Sequence, residues 1–354
     1  MNETFTNKTI VVTGGTGSLG KTLVRRILSG THGTPNKIIV FSRDEVKQYQ
    51  MLMEYESLKN STEEIIYQNY KHCLQFRIGD VRNYHSVSSV LRDADIVIHT
   101  AALKIVPNLE IFPHEGILTN CIGSQNIITS ISENKFNIET VIGISTDKAV
   151  HPENAYGAMK LLMERLFISA NLFIPNTKFI LCRYGNVLDS RGSVIPLFHE
   201  QISKNIAITI TTKDMTRFLL PLFKGVDTIY ETIKNGLKGE IIVPKVPASK
   251  ILDIAELLIE NNNKKLTIKE IGIRQGEKIN EVLISEEEAP RTYEINGFYH
   301  IQPMLPELTN KKLYTNILKQ EYSSKDFVMS KKDTKKLLEE NHLLDNKDYY
   351  ENTK

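Results

Sequence analysis

Two side chains able to move protons stand four residues apart in the sequence, Tyr156 and Lys160. Residues at this spacing share one face of a helix, so the lysine ammonium can lie beside the tyrosine phenol. A nearby cation lowers the pKa of tyrosine and makes it usable as an acid or base near neutral pH. Ser145 and Thr146 supply hydroxyl groups a short distance upstream. The spacing therefore predicts a tyrosine that acts as an acid or base.

Asp147 and Lys148 directly follow these hydroxyls and place two ionisable groups side by side. A charged dipeptide is usually a solvated ion pair at the end of a strand. The position immediately after Thr146 instead favours a second acid–base pair that acts in the same site.

A glycine-rich segment follows the first predicted strand and precedes an amphipathic helix. Glycine allows the chain to turn tightly and to approach a pyrophosphate, which the N–H groups at the helix N-terminus then bind. In this context the spacing GxxGxxG indicates a dinucleotide site. The candidate contacts are Gly14, Thr16, Gly17, Ser18, Leu19 and Gly20.

The end of the second strand bears on the choice of dinucleotide. An acidic residue there binds the ribose 2′-hydroxyl of NAD. Ser42 and Arg43 come first in this chain, and a guanidinium beside a hydroxyl suits the 2′-phosphate of NADP. We therefore predict NADP, with Asp44 keeping NAD as the alternative. Later strand ends add Asp80 and Val81 near adenine, the small residues Ala101 and Ala102 along the cofactor, and Lys104 near its nicotinamide.

Strands and helices alternate clearly in the first half of the chain, which predicts a Rossmann-type, doubly wound parallel sheet of the α/β class. A smaller mixed α/β substrate domain is predicted toward the C-terminus. Residues 60–71 read as a polar insertion. The predicted strands are Thr9–Thr13, Lys37–Ser42, Leu74–Gly79, Ile96–Thr100, Thr140–Ser145 and Phe179–Arg183.

The rhythm of the pattern changes after residue 184 and divides the chain as follows. Residues 1–184 form the dinucleotide-binding domain, to which 212–244 return. Residues 185–211 and 245–305 form the substrate domain, and 306–354 are a C-terminal extension, either a solvated helix or a loosely held tail.

Composition excludes several classes of protein. The 354 residues carry a formal net charge of +2, which gives no reason to expect binding to nucleic acid or to a membrane surface. No apolar stretch approaches the ~20 residues of a membrane helix, and no signal peptide precedes the first strand. The three cysteines are sparse and far apart, so we expect buried thiols, no metal site and a cytoplasmic location.

These motifs together resemble the extended short-chain dehydrogenase/reductase superfamily. Within it, the sequence is most similar to the UDP-N-acetylglucosamine 4,6-dehydratases of bacterial surface-sugar biosynthesis, of the soluble flagellin-sugar and capsular types. The most specific match is Ser145–Ala149 followed by Tyr156 and Lys160. The other matching segments are Thr13–Gly20, Phe41–Glu45, Ala101–Lys104, Val106-Pro107, Asn154–Lys160, Arg183–Val187, Ser190–Val194, Met215–Phe218 and Arg274–Lys278.

The resemblance implies a three-step internal redox cycle in which the cofactor is regenerated. Tyr156, helped by Lys160 and Thr146, removes the C4 hydroxyl proton while hydride leaves C4. Asp147 is then the acid at the C6 hydroxyl, and Lys148 is the base at C5. That base needs a pKa lowered by burial or by a cation such as Lys104. Hydride finally returns to C6.

The resemblance also implies UDP-N-acetylglucosamine or a related nucleotide sugar as substrate and a homo-oligomeric assembly, and it leaves C5 epimerisation open. Asn186, Arg217 and Arg274, with Lys104, are the candidate substrate contacts. A nucleotide-sugar 4- or 5-epimerase is the nearest alternative, and it would not need Asp147 as an acid. A redox sensor or scaffold that binds NADP without turnover is a different class, against which the intact Thr146, Tyr156 and Lys160 count.

Overall fold

The computed structural model describes residues 3–60, 62–188, 193–309 and 318–344. Residues 190–192 of the matching segment Ser190–Val194, and the end of the chain from residue 345, lie outside this range. The strands are β1 Thr9–Thr13, β2 Lys37–Ser42, β3 Leu74–Ile78, β4 Ile96–His99, β5 Thr140–Thr146, β6 Lys178–Tyr184, β7 Asn186–Val187, β8 Ile208–Ile210, β9 Thr216–Leu220, β10 Ile241–Pro244, β11 Ala248–Lys250, β12 Ile268–Glu270, β13 Val282–Ile284, β14 Thr292–Ile295, β15 Phe298–Ile301 and β16 Tyr322–Ser323.

Helices cover both faces of the main sheet. None of those described is long and apolar enough to cross a membrane. A π-helical turn at Ile117–Ile122 precedes the seventh helix. The helices are α1 Ser18–Leu28, α2 Glu45–Glu56, α3 Glu64–Cys73, α4 Tyr84–Leu91, α5 Val106–Ile111, α6 Pro113–Gly116, α7 Gly123–Asn134, α8 Ala155–Phe173, α9 Val194–Ser203, α10 Leu222–Asn235, α11 Ile251–Asn261 and α12 Lys331–Glu340.

The main sheet has nine strands in the order β14-β15-β10-β6-β5-β4-β1-β2-β3. All neighbours from β3 to β10 are parallel. The direction of winding reverses between β1 and β4, and in such sheets ligands bind beyond the carboxyl ends of the strands at this point. The predicted Rossmann-type fold is confirmed, and all six predicted strands lie within one residue of their observed bounds.

The predicted polar insertion at residues 60–71 is wrong, because most of it forms α3. The sequence between Glu64 and Cys73 is mostly polar, but Ile66, Tyr70 and Cys73 recur at helical spacing and are buried in the main core. A short apolar stripe among polar residues is enough to dock a helix on the sheet.

The C-terminal part of the chain contributes to two regions of the structure. Strands β14 and β15, within the predicted substrate domain, add to the main sheet through the antiparallel pairing of β15 with β10. A second buried apolar cluster is built by α9, β8, α11 and α12, and Leu338, Leu343 and Leu344 of the predicted extension belong to it. The predicted domain boundaries themselves stay a prediction.

Candidate active site

The candidate acid–base residues come together where β5 ends. Thr146 is the last residue of β5, and Asp147–Ala149 form a 3₁₀ turn directly after it. Helix α8 starts beside this turn, and its N-cap Asn154 accepts a hydrogen bond from the Gly157 amide (2.8 Å). The β5–β6 register also places Thr146 next to Tyr184.

Of the two hydroxyls at the end of β5, Thr146 is the one that contacts the other candidates. It donates to Asp147 Oδ1 at 2.9 Å. The Ser145 hydroxyl instead donates to Glu164 Oε1 (2.5 Å), inside a buried ion cluster. Alternation of side chains along a strand sends the two hydroxyls to opposite faces of the sheet.

Asp147 is fully buried, which is unusual for a carboxylate. Its Oδ1 accepts from Thr146 and from Lys148 Nζ, the latter at 3.0 Å. Its Oδ2 has no hydrogen-bond partner among the described residues. Gly185 packs closely here, since a Cβ atom on it would stand 3.1 Å from this oxygen. One oxygen is thus held in place, and the other is buried without a hydrogen bond in the part of the chain that the structure describes.

Lys148 lies between two carboxylates, since its Nζ is also 3.3 Å from Glu281 Oε1. Burial alone would lower the pKa of Lys148, but the charges of Asp147 and Glu281 outweigh it and raise that pKa. The expectation that burial or Lys104 gives Lys148 a lowered pKa is therefore wrong. The resting group is an ammonium.

Tyr156 and Lys160 share the first turns of α8, as predicted. Burial raises the pKa of Tyr156 to about 12, although the Lys148 charge and a hydrogen bond with Thr146 work in the other direction. Lys160 Nζ donates to the carbonyl of Ile144 at 2.7 Å, and burial lowers its own pKa to about 8. The cation acting on the phenol in this structure is thus Lys148, and the expected lowering of the Tyr156 pKa by Lys160 is not observed.

The glycine-rich turn fits a dinucleotide. Gly14 has φ +67°, and a Cβ on it would stand 2.8 Å from the backbone of Ala101 at the end of β4. Helix α1 starts after Gly17 with no side-chain cap and no acidic residue in its first turn, so its N-terminus is open to an anion. The other predicted contacts lie around this point: Thr16 is buried in the turn, Ser18, Leu19 and Gly20 begin α1, Ala102 follows β4, and Val81 is buried after β3.

The residues that follow β2 differ in how available they are to bind the cofactor ribose. Asp44 is the N-cap of α2, accepting from the Lys47 amide at 3.0 Å, and it also pairs with Lys47 Nζ at 2.6 Å. Ser42 Oγ accepts from Gln48 Nε2 (2.9 Å), which leaves the hydroxyl proton free to point outward. Arg43 is exposed beside them.

Asp80 is held by arginines. Arg82 donates to it from both its amide and its Nε, at 3.0 and 2.8 Å, and Arg43 lies 4.0 Å away. Burial would raise the pKa of Asp80, but these partners hold it below the ordinary value. A cavity of about 280 Å³ opens nearby; its lining residues are Arg43, Leu103, Lys104, Ile105, Asn108, Leu109, Phe112 and Glu115.

The candidate substrate contacts are less uniform. Asn186 is half-buried, and its Oδ1 has no partner among the described residues. Arg217 is buried, with its Nη atoms donating to the carbonyls of Thr216, Lys278 and Ile279, so much of its guanidinium is used by the protein. Arg274 is exposed in the loop between β12 and β13. All three stay predictions.

That loop is nevertheless attached to the active site. Asn154, the N-cap of α8, donates to the Gly276 carbonyl at 2.9 Å, and Lys278 Nζ donates to the Val150 carbonyl at 2.6 Å. Arg274 is therefore carried on a segment tied to the chain between Lys148 and Tyr156.

Three residues near the site were missed by sequence reasoning: Gln48, Arg82 and Glu281. Glu281 is separated from Lys148 by 133 positions, and a single glutamate carries no local pattern. Arg82 follows Asp80 by two residues, a spacing that could have suggested its bidentate contact. Gln48 lies one turn into α2, where it bridges β2 and β3 by donating to the carbonyls of Ser42 and Arg77.

Comparison with known proteins identifies a matching family and similar proteins. The model of the family described as "Polysaccharide biosynthesis protein" matches residues 10–303. The chain is 42% identical over 304 residues to a Campylobacter jejuni protein named UDP-N-acetylglucosamine 4,6-dehydratase (inverting), covering 85% of this chain and 84% of the relative. It is 40% identical over 348 residues to a Rickettsia bellii protein named UDP-glucose 4-epimerase, covering 98% and 97%.

A solved structure extends the likeness to three dimensions. The X-ray structure of Pen from Bacillus thuringiensis superimposes with a TM-score of 0.84 at 33% identity, covering 96% of this chain and 99% of that one. The likeness therefore spans nearly the whole length of both chains.

Proposed function

We propose, because the chain belongs to the polysaccharide biosynthesis protein family of extended short-chain dehydrogenases/reductases, that it is a nucleotide-sugar 4,6-dehydratase acting on UDP-N-acetylglucosamine. The names of its relatives divide between dehydratase and epimerase, so they do not decide between the two activities. The choice between dehydratase and epimerase therefore rests on the residues of the site.

The observation that carries the proposal is the buried carboxylate of Asp147. Its Oδ1 is fixed by Thr146 and Lys148 while Oδ2 is left without a partner among the described residues. Elimination of water from C5 and C6 needs an acid at the C6 hydroxyl and a base at C5. Epimerisation at C4 needs neither. Taking a carboxylate out of water is costly, and the buried Asp147 with its neighbour Lys148 can supply both groups.

Each residue of the site then has its own role in the reaction. Tyr156 takes the proton of the C4 hydroxyl, and Thr146 shares a hydrogen bond with it. The 4-ketone makes the C5 proton acidic. Once Lys148 has passed its own proton to Asp147, Lys148 removes the C5 proton and Asp147 protonates the C6 hydroxyl, which leaves as water. Lys160 binds the cofactor ribose and holds positive charge under the reaction. NADP, when bound, supplies a hydride acceptor at C4 and a hydride donor at C6.

NADP is preferred over NAD because of the residues that follow β2. Asp44, the residue that would bind a ribose 2′-hydroxyl, is already engaged by the amide and the ammonium of Lys47. Arg43 and the Ser42 hydroxyl stand beside it, and both suit a phosphate. Arg43 also lines the neighbouring cavity, so its guanidinium faces a space that a ligand can enter.

A homo-oligomer is part of the proposal. Helices α5, α8 and the π-helical turn pack together, and their outer faces expose Ile111, Ile117, Leu162 and Phe173 at 68%, 44%, 54% and 76%. Large apolar side chains exposed on neighbouring helices are typical of an interface. Light scattering of the purified protein should give a multiple of 40.3 kDa. We keep the cytoplasm as the expected location, since the three cysteines are free and buried.

One labelling experiment tests the reaction. UDP-N-acetylglucosamine deuterated at C4 should yield a 4-keto-6-deoxy sugar with the label at C6, and in D₂O the product should carry deuterium at C5. Tyr156→Phe, which keeps the ring and loses the proton acceptor, should slow the reaction by roughly 10²–10⁴-fold. Interconversion of epimers with the C6 hydroxyl intact would give the assignment to a 4-epimerase.

A further inference from the structure

Glu281 brings a second carboxylate into the site from the C-terminal half of the chain. It is 2% exposed and stands immediately before β13. Its Oε1 is 3.3 Å from Lys148 Nζ, and the same Nζ is 3.0 Å from Asp147 Oδ1. The Lys148 ammonium therefore contacts two carboxylates, that of its sequence neighbour Asp147 and that of Glu281 from another part of the fold.

Glu281 is itself held firmly. Its amide donates to Ser324 Oγ at 2.9 Å, and its carbonyl accepts from the Ser324 amide at 2.8 Å. Arg217 Nε lies 3.7 Å from Oε1, while its Nη atoms are fixed on backbone carbonyls. The second oxygen, Oε2, is buried and has no partner among the described residues. Most buried side-chain oxygens have a hydrogen-bond partner, so the unpaired Oε2 calls for an explanation.

We propose that Glu281 is a positioning residue for the elimination step, which holds Lys148 against Asp147 and sets the proton affinity of that pair. The inference rests on the proposed function, because the acid–base role of the pair comes from it. The charged and titratable groups that face Lys148 are Asp147 on its own turn, Tyr156 on α8, Arg217 on β9 and Glu281.

The proton balance explains the role. In the resting pair Lys148 is an ammonium and Asp147 a carboxylate. Moving one proton across the 3.0 Å contact breaks an N–H bond and forms an O–H bond, and it produces the neutral amine and the carboxylic acid that elimination needs. Lys148 then accepts the C5 proton, Asp147 gives its proton to the departing hydroxyl, and the ion pair returns.

Glu281 acts on both ends of this cycle. Its negative charge stabilises the ammonium of the resting pair and the ammonium that forms again when Lys148 takes the C5 proton, which raises the proton affinity of Lys148. The active pair holds one shared proton, and at high pH that proton is lost and elimination stops. Glu281 moves this loss to higher pH, because an opposite charge at such a distance shifts a pKa by about 1–3 units.

The test is Glu281→Gln, which keeps the shape and removes the charge. We expect the alkaline limb of 6-deoxy product formation to move to lower pH by about 1–3 units. Reduction of the bound cofactor, which reports C4 oxidation, should change less than about twofold. Glu281→Asp keeps the charge and should restore the limb at least in part. Glu294→Gln is the matched control, since Glu294 pairs with Lys245 away from the site.

An unchanged alkaline limb in Glu281→Gln would overturn the inference, as would an equal loss of both steps in Glu281→Gln and Glu281→Asp. Titration of ¹³C-labelled lysine by NMR, with the Lys148 signal assigned from Lys148→Met, separates this result from the proposed function. Lys148 should lose its proton at lower pH in Glu281→Gln, even if the wild type forms no 6-deoxy sugar. Identical titration in both proteins would refute the role of Glu281.

Discussion

Gly157 in α8 packs so closely against the carbonyl oxygen of Lys148 that a side chain on Gly157 would overlap it. Gly157 directly follows Tyr156, and its amide is the group capped by Asn154. The start of α8 and the turn Asp147–Ala149 are thus one packed unit. This contact sets how near the phenol lies to Thr146 and Lys148.

We therefore expect Gly157→Ala to lower the free energy of unfolding by about 1–3 kcal/mol and to abolish most activity, because the backbone must separate from the turn. The direction of this change in the free energy of unfolding is informative, since Gly→Ala within a helix otherwise stabilises a protein by up to ~1 kcal/mol. Denaturant unfolding and turnover of the same preparation measure both effects.

Gly225→Ala on α10 is the control for this variant. A Cβ there would meet its nearest neighbours at 3.6 Å or more, which is ordinary contact. It should be as stable as the wild type or slightly more so. Equal stability and activity in Gly157→Ala would mean that the helix and the turn are not packed as described.

The sequence predicts the first half of this fold well because both faces of its parallel strands are buried. Six runs of β-branched and apolar residues mark strands without ambiguity, and Thr146, Asp147 and Lys148 follow one of them. Helix α3 escaped notice because three buried side chains within a polar segment give only a weak periodic signal.

Charge interactions between distant residues account for what the sequence could not predict in the site. The pKa of Lys148 depends on Glu281, which only the tertiary fold brings near. In the same way, Ser145 and Thr146 are equivalent by type, and only the position of Glu164 shows that Ser145 is used elsewhere. Motifs identify which residues form a site, whereas their protonation depends on neighbours from other elements.

A buried ion cluster beneath the site provides a second prediction. Arg183 on β6, 1% exposed, donates to Glu164 of α8 and to Glu288, and each contact includes a 2.7 Å bond. Arg183→Met would leave Glu164 buried without its cation and Glu288 with only the longer contact to Arg291 at 3.7 Å. We expect it to destabilise the chain by about 3–5 kcal/mol, measured by denaturant unfolding.

Arg25→Met is the matched control variant for that experiment. Arg25 pairs with Glu63 at the surface, where ion pairs contribute about 0–1 kcal/mol. Similar losses of stability in the two variants would contradict the idea that Arg183 joins β6, α8 and the C-terminal segment.

Lys160 makes stability depend on pH. Burial lowers its pKa from 10.5 to about 8, so between these values the unfolded chain binds more protons than the folded one. The free energy of unfolding therefore rises with pH across this window. Lys160→Met should lose that rise and be more stable than the wild type at neutral pH, by on the order of 1–3 kcal/mol, while losing activity.

Unfolding at neutral pH and near pH 10 (roughly the ordinary lysine value) measures this effect. Lys335→Met is the control, because Lys335 is exposed beside Glu339 and should leave the pH dependence unchanged. The same slope in Lys160→Met and the wild type would show that Lys160 keeps its ordinary pKa in the fold.

Cofactor choice gives the fourth prediction. Arg43→Ala should weaken NADP binding by roughly tenfold to a hundredfold and leave NAD binding nearly unchanged, since only NADP carries the 2′-phosphate. Asp44→Ala removes the N-cap of α2 and should lower Tm while the ratio of the two affinities stays as in the wild type. Isothermal titration calorimetry with each cofactor measures the two affinities. Equal wild-type affinities for NAD and NADP would refute the preference.

The last prediction separates the acid from the base. Asp147→Asn cannot protonate the C6 hydroxyl, and it also removes the group that takes the resting proton of Lys148. In D₂O at neutral pH, recovered UDP-N-acetylglucosamine should therefore gain no deuterium at C5, and exchange should appear only at alkaline pH, where Lys148 loses its proton. Lys148→Met should yield neither exchange nor product at any pH, although both variants still bind substrate and reduce bound cofactor. Proton NMR of the recovered sugar distinguishes these outcomes. Because Asp147 Oδ1 is 3.0 Å from Lys148 Nζ, exchange at neutral pH in Asp147→Asn would show that Lys148 does not pass its proton to Asp147, and abundant 6-deoxy product from both variants would remove them from the reaction.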